Sequence, residues 1–145
     1  MKRSTIIEMI SFAFILLFLY VGISKFVDFK NTQFDFNQAP VIGRYPTLFA
    51  TIIPLLEIAT AICLFVPRWR KIGLFATSTL MIIFTVYVAY MLRAYTAYER
   101  PCSCGGIMRK LSWQSHLYFN IIATALSFFA IMLFRKAENE KPLNS

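Results

Sequence analysis

The sequence predicts an all-α polytopic membrane protein, an antiparallel bundle of four transmembrane helices, and three observations lead there. Of 145 residues, 58% are hydrophobic and 15% charged, whereas a soluble domain is roughly 45–50% apolar and about 25% charged. A chain this short cannot hide that excess in a single core, so the surplus faces lipid. The apolar residues gather into four runs of 18 to 21 residues, and about 20 helical residues cross a ~30 Å hydrocarbon core. None of the runs alternates as a barrel strand does.

The first run is Thr5 to Ser24, with Glu8 near its start. It follows Met-Lys-Arg, as a signal peptide would, but it exceeds the roughly 7–15 apolar residues of a signal core. It ends Gly22-Ile23-Ser24-Lys25 with no small-x-small cleavage site, so it is expected to remain as the first helix. The stretch from Lys25 to Pro46 carries Phe26, Phe29, Phe34 and Phe36 among polar residues, punctuated by Pro40 and Pro46. Spaced aromatics between charges predict a segment lying in the membrane interface.

The second run is Thr47 to Val66, the third Ile72 to Leu92 and the fourth Leu117 to Phe134. These make one four-helix domain over 1–136, and 137–145 reads as a polar, frayed tail. The chain carries a net charge of +8. Its basic residues cluster at the run ends (Lys2 and Arg3, Arg68 to Lys71, Arg109 and Lys110, Arg135 and Lys136). That placement sets cationic heads at the lipid phosphates and argues against nucleic acid as a partner. With both termini inside, the inner side holds 8 Lys and Arg and the outer side 7. The compact cluster Arg68-Trp69-Arg70-Lys71 and the flank Lys2-Arg3 tip the balance toward cytoplasmic termini.

The most unusual stretch is Arg100-Pro101-Cys102-Ser103-Cys104-Gly105-Gly106, between the third and fourth runs. Two cysteines one residue apart can close a disulfide only through a bent backbone, and strained disulfides are readily reduced. Arg100, Arg109, Lys110 and the positive end of the following helix favour thiolate over thiol. Cys102 and Cys104 are therefore candidates for redox chemistry. A static disulfide or idle thiols in a tight turn would use the same residues, and so would a soft-metal site with His116 or Met108. Cys63 lies near the other face of the bundle and reads as a packed apolar thiol.

Trp113, His116 and Asn120 recur at spacings of three and four, on one face of the fourth helix, with Ser112 as the N-cap. His116, the single histidine, is either a proton carrier for the cysteines or a helix-end residue hydrogen bonding at the interface. Glu57 lies roughly 15 Å into the second helix, near the midplane, where a carboxylate must be protonated or paired. Tyr87 and Tyr90 are candidate donors to it, and Lys25 is another partner although its depth fits poorly. These residues make either a quinone headgroup or proton site, with Glu57, Tyr87 and Tyr90 as its candidates, or a buried contact that locks the bundle. Pro54, one turn before Glu57, frees a backbone carbonyl.

On these residues the chain resembles the DoxX-like membrane proteins, and within them the methylamine-utilisation MauE branch. The resemblance runs over nearly the whole chain. Its carriers are Gly22-Ile23-Ser24-Lys25-Phe26, Pro54 to Glu57, Phe84-Thr85-Val86-Tyr87, Pro101 to Gly106, and Trp113 to Asn120. It implies a four-helix bundle in a bacterial inner membrane. It also implies disulfide handling or maturation of exported proteins beside thioredoxin-like partners, and DoxX relatives include a subunit associated with quinone-linked thiosulfate oxidation. Better-known disulfide-forming membrane enzymes carry Cys-x-x-Cys and often a second cysteine pair, whereas this chain has Cys-x-Cys and no second pair.

The reading that follows is a redox-associated inner-membrane protein. Cys102 and Cys104 exchange with a thiol protein on the outer side, His116 serves as proton carrier, and a quinone is the candidate cofactor. The alternative is a non-enzymatic structural subunit of a larger export or envelope complex. A transporter is the third possibility, with Glu57 as its intramembrane charge.

Overall fold

The computed structural model describes residues 2–95 and 110–140. Five α-helices make up the fold: α1 (Arg3–Val27), α2 (Phe29–Gln38), α3 (Pro46–Phe65), α4 (Arg70–Ala94) and α5 (Trp113–Asn139). No strand occurs among the described residues. Four helices are long and apolar enough to cross a membrane, namely α1, α3, α5 and α4 with the 3-10 turn before it. Each is 20 residues or longer, enough for a ~30 Å core at 1.5 Å per residue. The protein is a multi-pass membrane bundle of antiparallel helices, as its sequence predicts.

Two tight pairs form the bundle, α1 against α3 and α4 against α5. Lipid offers no hydrophobic drive for helix association, so close backbone approach and interhelical hydrogen bonds supply it. Gly22 makes the first pair possible. A Cβ there would stand 3.0 Å from Ile58 Cγ1 and 3.3 Å from the Pro54 carbonyl. Gly22→Leu is therefore expected to force α1 off α3 and to cost about 1–3 kcal/mol, as overpacking does. Unfolding in mild detergent measures it, and an unchanged midpoint would contradict the close contact.

The second pair is joined by short hydroxyls. Ser78 Oγ donates to Ser127 Oγ at 2.9 Å, and Thr85 Oγ1 meets Thr124 Oγ1 at 3.1 Å. Apolar packing around Phe14, Phe18, Leu64, Leu74 and Met81 fills the centre between the pairs.

Both termini lie at one end of the bundle, where ion pairs tie the helices together. Arg3 pairs with Glu140, Lys71 Nζ with Glu138 at 2.9 Å, and Arg70 with Glu8 at 3.8 Å. The turn between α3 and α4 belongs to this end. There, a Cβ on Gly73 would stand 2.7 Å from the Leu64 nitrogen, so only glycine lets the two helices meet so closely. Helix α5 continues to Asn139, and Glu138 and Glu140 at its end are the partners of Lys71 and Arg3.

The far end carries the segment of spaced aromatics. The segment after α1 forms α2, which folds back onto α3. Thr32 Oγ1 donates to the Lys25 carbonyl at 3.3 Å, and Gln33 Nε2 donates to Thr47 Oγ1 at 2.6 Å. Phe36 is buried while Phe34 stays exposed. The regular spacing of aromatics thus conceals a division of labour: one ring enters the bundle and others remain outside.

Candidate functional site

Helix α1 ends level with the middle of α3, since Gly22 sits against Pro54, Glu57 and Ile58. Lys25, one turn beyond Gly22 on the same face, therefore reaches Glu57 directly. Its Nζ donates to Glu57 Oε1 at 2.6 Å, with both side chains buried. The Lys25 ammonium also stands 5.6 Å from the centre of the Phe84 ring, a favourable place for a desolvated cation. The depth mismatch expected for Lys25 disappears because α1 is short at this end and α2 covers the upper part of α3 in its place.

This ion pair forms part of the wall of a cavity of about 310 Å³ that also includes Phe36, Tyr87, His116 and Asn120. Small-molecule sites typically run from roughly 300 to 1,000 Å³ and combine apolar walls with a few convergent polar groups. The rim includes Leu56 on α3 and Ile83 on α4. Both are exposed on membrane-crossing helices, so the mouth lies between α3 and α4 and faces the lipid side.

Two polar atoms in the wall stand out. Glu57 is 0% exposed and His116 4%, yet Glu57 Oε2 and His116 Nε2 have no hydrogen-bond partner among the described residues. A buried polar atom without a partner costs about 1–3 kcal/mol, so a structure that keeps two of them on one cavity calls for an explanation. The local sequence explains how His116 is held. Ser112 caps α5, its side chain accepting from the Ser115 backbone N–H at 3.2 Å. His116 Nδ1 lies 3.3 Å from the Ser112 carbonyl. A carbonyl only accepts, so Nδ1 carries the proton, and in the neutral ring Nε2 is left as the acceptor. The Trp113 ring is centred 6.4 Å from that of His116.

The structure thus brings together Lys25, Glu57, Tyr87, His116 and Asn120, all singled out by sequence, and adds Phe36. Tyr90 is not on the cavity; it is 46% exposed and packs edge-on against Tyr95. Cys102 and Cys104 lie outside the described residues, as do Arg100, Met108 and Arg109. The connection that carries them leaves α4 after Ala94 and enters α5 at Trp113, so its two anchors are at the end of the bundle where His116 stands. Cys63 is half-buried near the opposite end, beside Gly73.

Lys25 had a sequence signal in its i, i+3 spacing from Gly22, which places both on one face. Asn120 had one too, as the third member of the polar stripe on α5. Phe36 had none, because nothing local distinguishes it from its neighbouring phenylalanines.

A family model described as methylamine utilisation protein MauE matches residues 3–133. The chain belongs to the MauE family. The match covers α1, α3 and α4 and reaches residue 133 of α5, so it includes every described residue on the cavity of this MauE-family protein. No curated protein and no solved structure matches the chain.

Proposed function

We propose that this MauE-family chain is an accessory membrane protein of methylamine utilisation that handles thiol and disulfide chemistry for exported proteins through Cys102 and Cys104. In this reading it resides in a bacterial inner membrane with both termini in the cytoplasm, and the connection between α4 and α5 faces the oxidising side. The observation that carries the proposal is His116. It is a buried histidine with a free Nε2 lone pair, held on the first turn of the helix that follows the Cys-x-Cys connection.

Exchange proceeds by thiolate attack on a disulfide sulfur through a mixed disulfide. A thiolate of an exported protein or of its thioredoxin-like carrier attacks the Cys102–Cys104 disulfide. One cysteine is released as thiolate, and a second thiolate of the partner resolves the mixed disulfide. The partner leaves oxidised and Cys102 and Cys104 remain as two thiols. His116 is placed to accept and return a proton, because its Nδ1–H is fixed on the Ser112 carbonyl and Nε2 is left to exchange.

Thiol trapping in cells tests this. Acid quenching followed by alkylation should find Cys102 and Cys104 partly oxidised and shifting with the external redox poise. A pair that never changes state, in a protein that purifies within a larger complex, would instead indicate a structural subunit.

A further inference from the structure

We propose that the cavity between α3 and α4 binds the headgroup of a membrane quinone, with Glu57 Oε2 and His116 Nε2 as acceptors for the hydroxyl groups of its reduced form. This deepens the thiol-exchange reading and rests on it for the source of electrons.

Four features select this ligand class. The walls are almost wholly apolar and aromatic, with Phe36, Phe84 and Phe119 among them, which suits a flat ring. The mouth between Leu56 and Ile83 faces the lipid side, so a ligand enters from the bilayer and its hydrocarbon tail can stay there. Polar groups converge at the inner wall. Lys25 Nζ is a donor that a quinone carbonyl can share with Glu57, and the two buried atoms without partners, Glu57 Oε2 and His116 Nε2, are acceptors. A quinol carries two hydroxyl donors, and each satisfies one such acceptor. An alkyl chain, by contrast, would fill the cavity and leave both atoms unpaired. The paired Lys25 and Glu57 leave no net charge for an anionic headgroup.

The electron balance closes. When the Cys102 and Cys104 thiols join, two S–H bonds break, one S–S bond forms, and two electrons and two protons are released. One quinone takes up both electrons and both protons to become a quinol, forming two O–H bonds. His116, on the cavity and on the helix that follows the cysteine connection, is placed to carry a proton between the two.

Trp113, beside His116, reports on occupancy, because quinones quench indole fluorescence. Trp69, the other tryptophan, lies in the turn at the opposite end of the bundle. In a Trp69→Phe background, a decyl-tailed benzoquinone titrated into the protein in mild detergent should quench Trp113 saturably. Ile83→Trp fills the mouth without touching the polar groups; read by competition with a labelled quinone, it should abolish binding. His116→Leu and Glu57→Gln should each weaken binding of the reduced decyl-benzoquinol, read by its displacement of the labelled quinone, at least tenfold, with helicity checked by circular dichroism. Decanol should neither displace the quinone nor reproduce the quenching.

Quenching that never saturates, or binding indifferent to Ile83→Trp, overturns the site. Displacement by decanol assigns the cavity to any alkyl chain and also overturns it. The Cys102→Ser/Cys104→Ser protein should bind as the parent does. Saturable binding beside an inert cysteine pair would thus leave the quinone site standing and remove only the thiol reading. Absent binding beside an active pair would do the reverse.

Discussion

Replacing Lys25 by methionine is expected to destabilise the bundle by about 3–5 kcal/mol, the range for leaving one member of a buried ion pair alone. Glu57 would then hold a carboxylate on α3 with both oxygens unpartnered and no water to solvate it. Replacing both residues, as Lys25→Met with Glu57→Leu, should recover most of the loss. Apolar replacements of similar volume for a buried pair are often neutral or stabilising by about 1–4 kcal/mol. Unfolding of the four proteins in mild detergent completes a double-mutant cycle whose coupling energy measures the pair directly. A double variant no more stable than Lys25→Met would show that the 2.6 Å contact is not what holds these helix ends together.

The same double variant separates structure from function. If Glu57 served only to lock α1 onto α3, the restored bundle would bind a quinone and support thiol exchange as the parent does. A folded but inactive double variant is the expected result, since the Oε2 acceptor in the cavity is gone. A buried charged pair that apolar residues can replace without loss of stability is better explained by what it binds than by what it stabilises.

The second large effect is expected at the cysteines. Cys102→Ser and Cys104→Ser should each reduce disulfide formation in exported proteins to the level of a strain lacking the gene, and the double variant should be no worse. Residues that act as one unit lose everything with the first substitution, so their effects do not add. One of the single variants should also accumulate a mixed disulfide with its partner, because the resolving thiol is missing; non-reducing electrophoresis followed by mass spectrometry of the band would identify that partner. Cys63→Ser should leave disulfide formation intact, since Cys63 lies toward the other end of α3 beside Gly73. Normal export chemistry in both single variants would reduce the pair to a feature of the loop.

Sequence alone determined the bundle. Four runs of about 20 apolar residues admit only helices in lipid, because every backbone group must be satisfied within its own segment. Successive crossings of one bilayer necessarily run antiparallel, and an even number of crossings brings both ends of the bundle's chain to one side. His116 on the polar face of α5 and its Ser112 cap were legible for a similar reason, since both depend on residues within two helical turns.

What only the tertiary structure decided is the company these residues keep. Glu57 announced itself as a buried carboxylate, but its partner depended on where α1 stops. That level is set by Gly22 against Ile58 and by α2 folding back over α3. Tyr87 and Tyr90 sit three residues apart and looked equivalent; the rotation of α4 turned the first into the cavity and the second outward. Helical periodicity reports which residues share a face. Which neighbour a face meets, and at what depth, follows from close contacts between helices distant in sequence, and the cavity exists only where those contacts leave a gap.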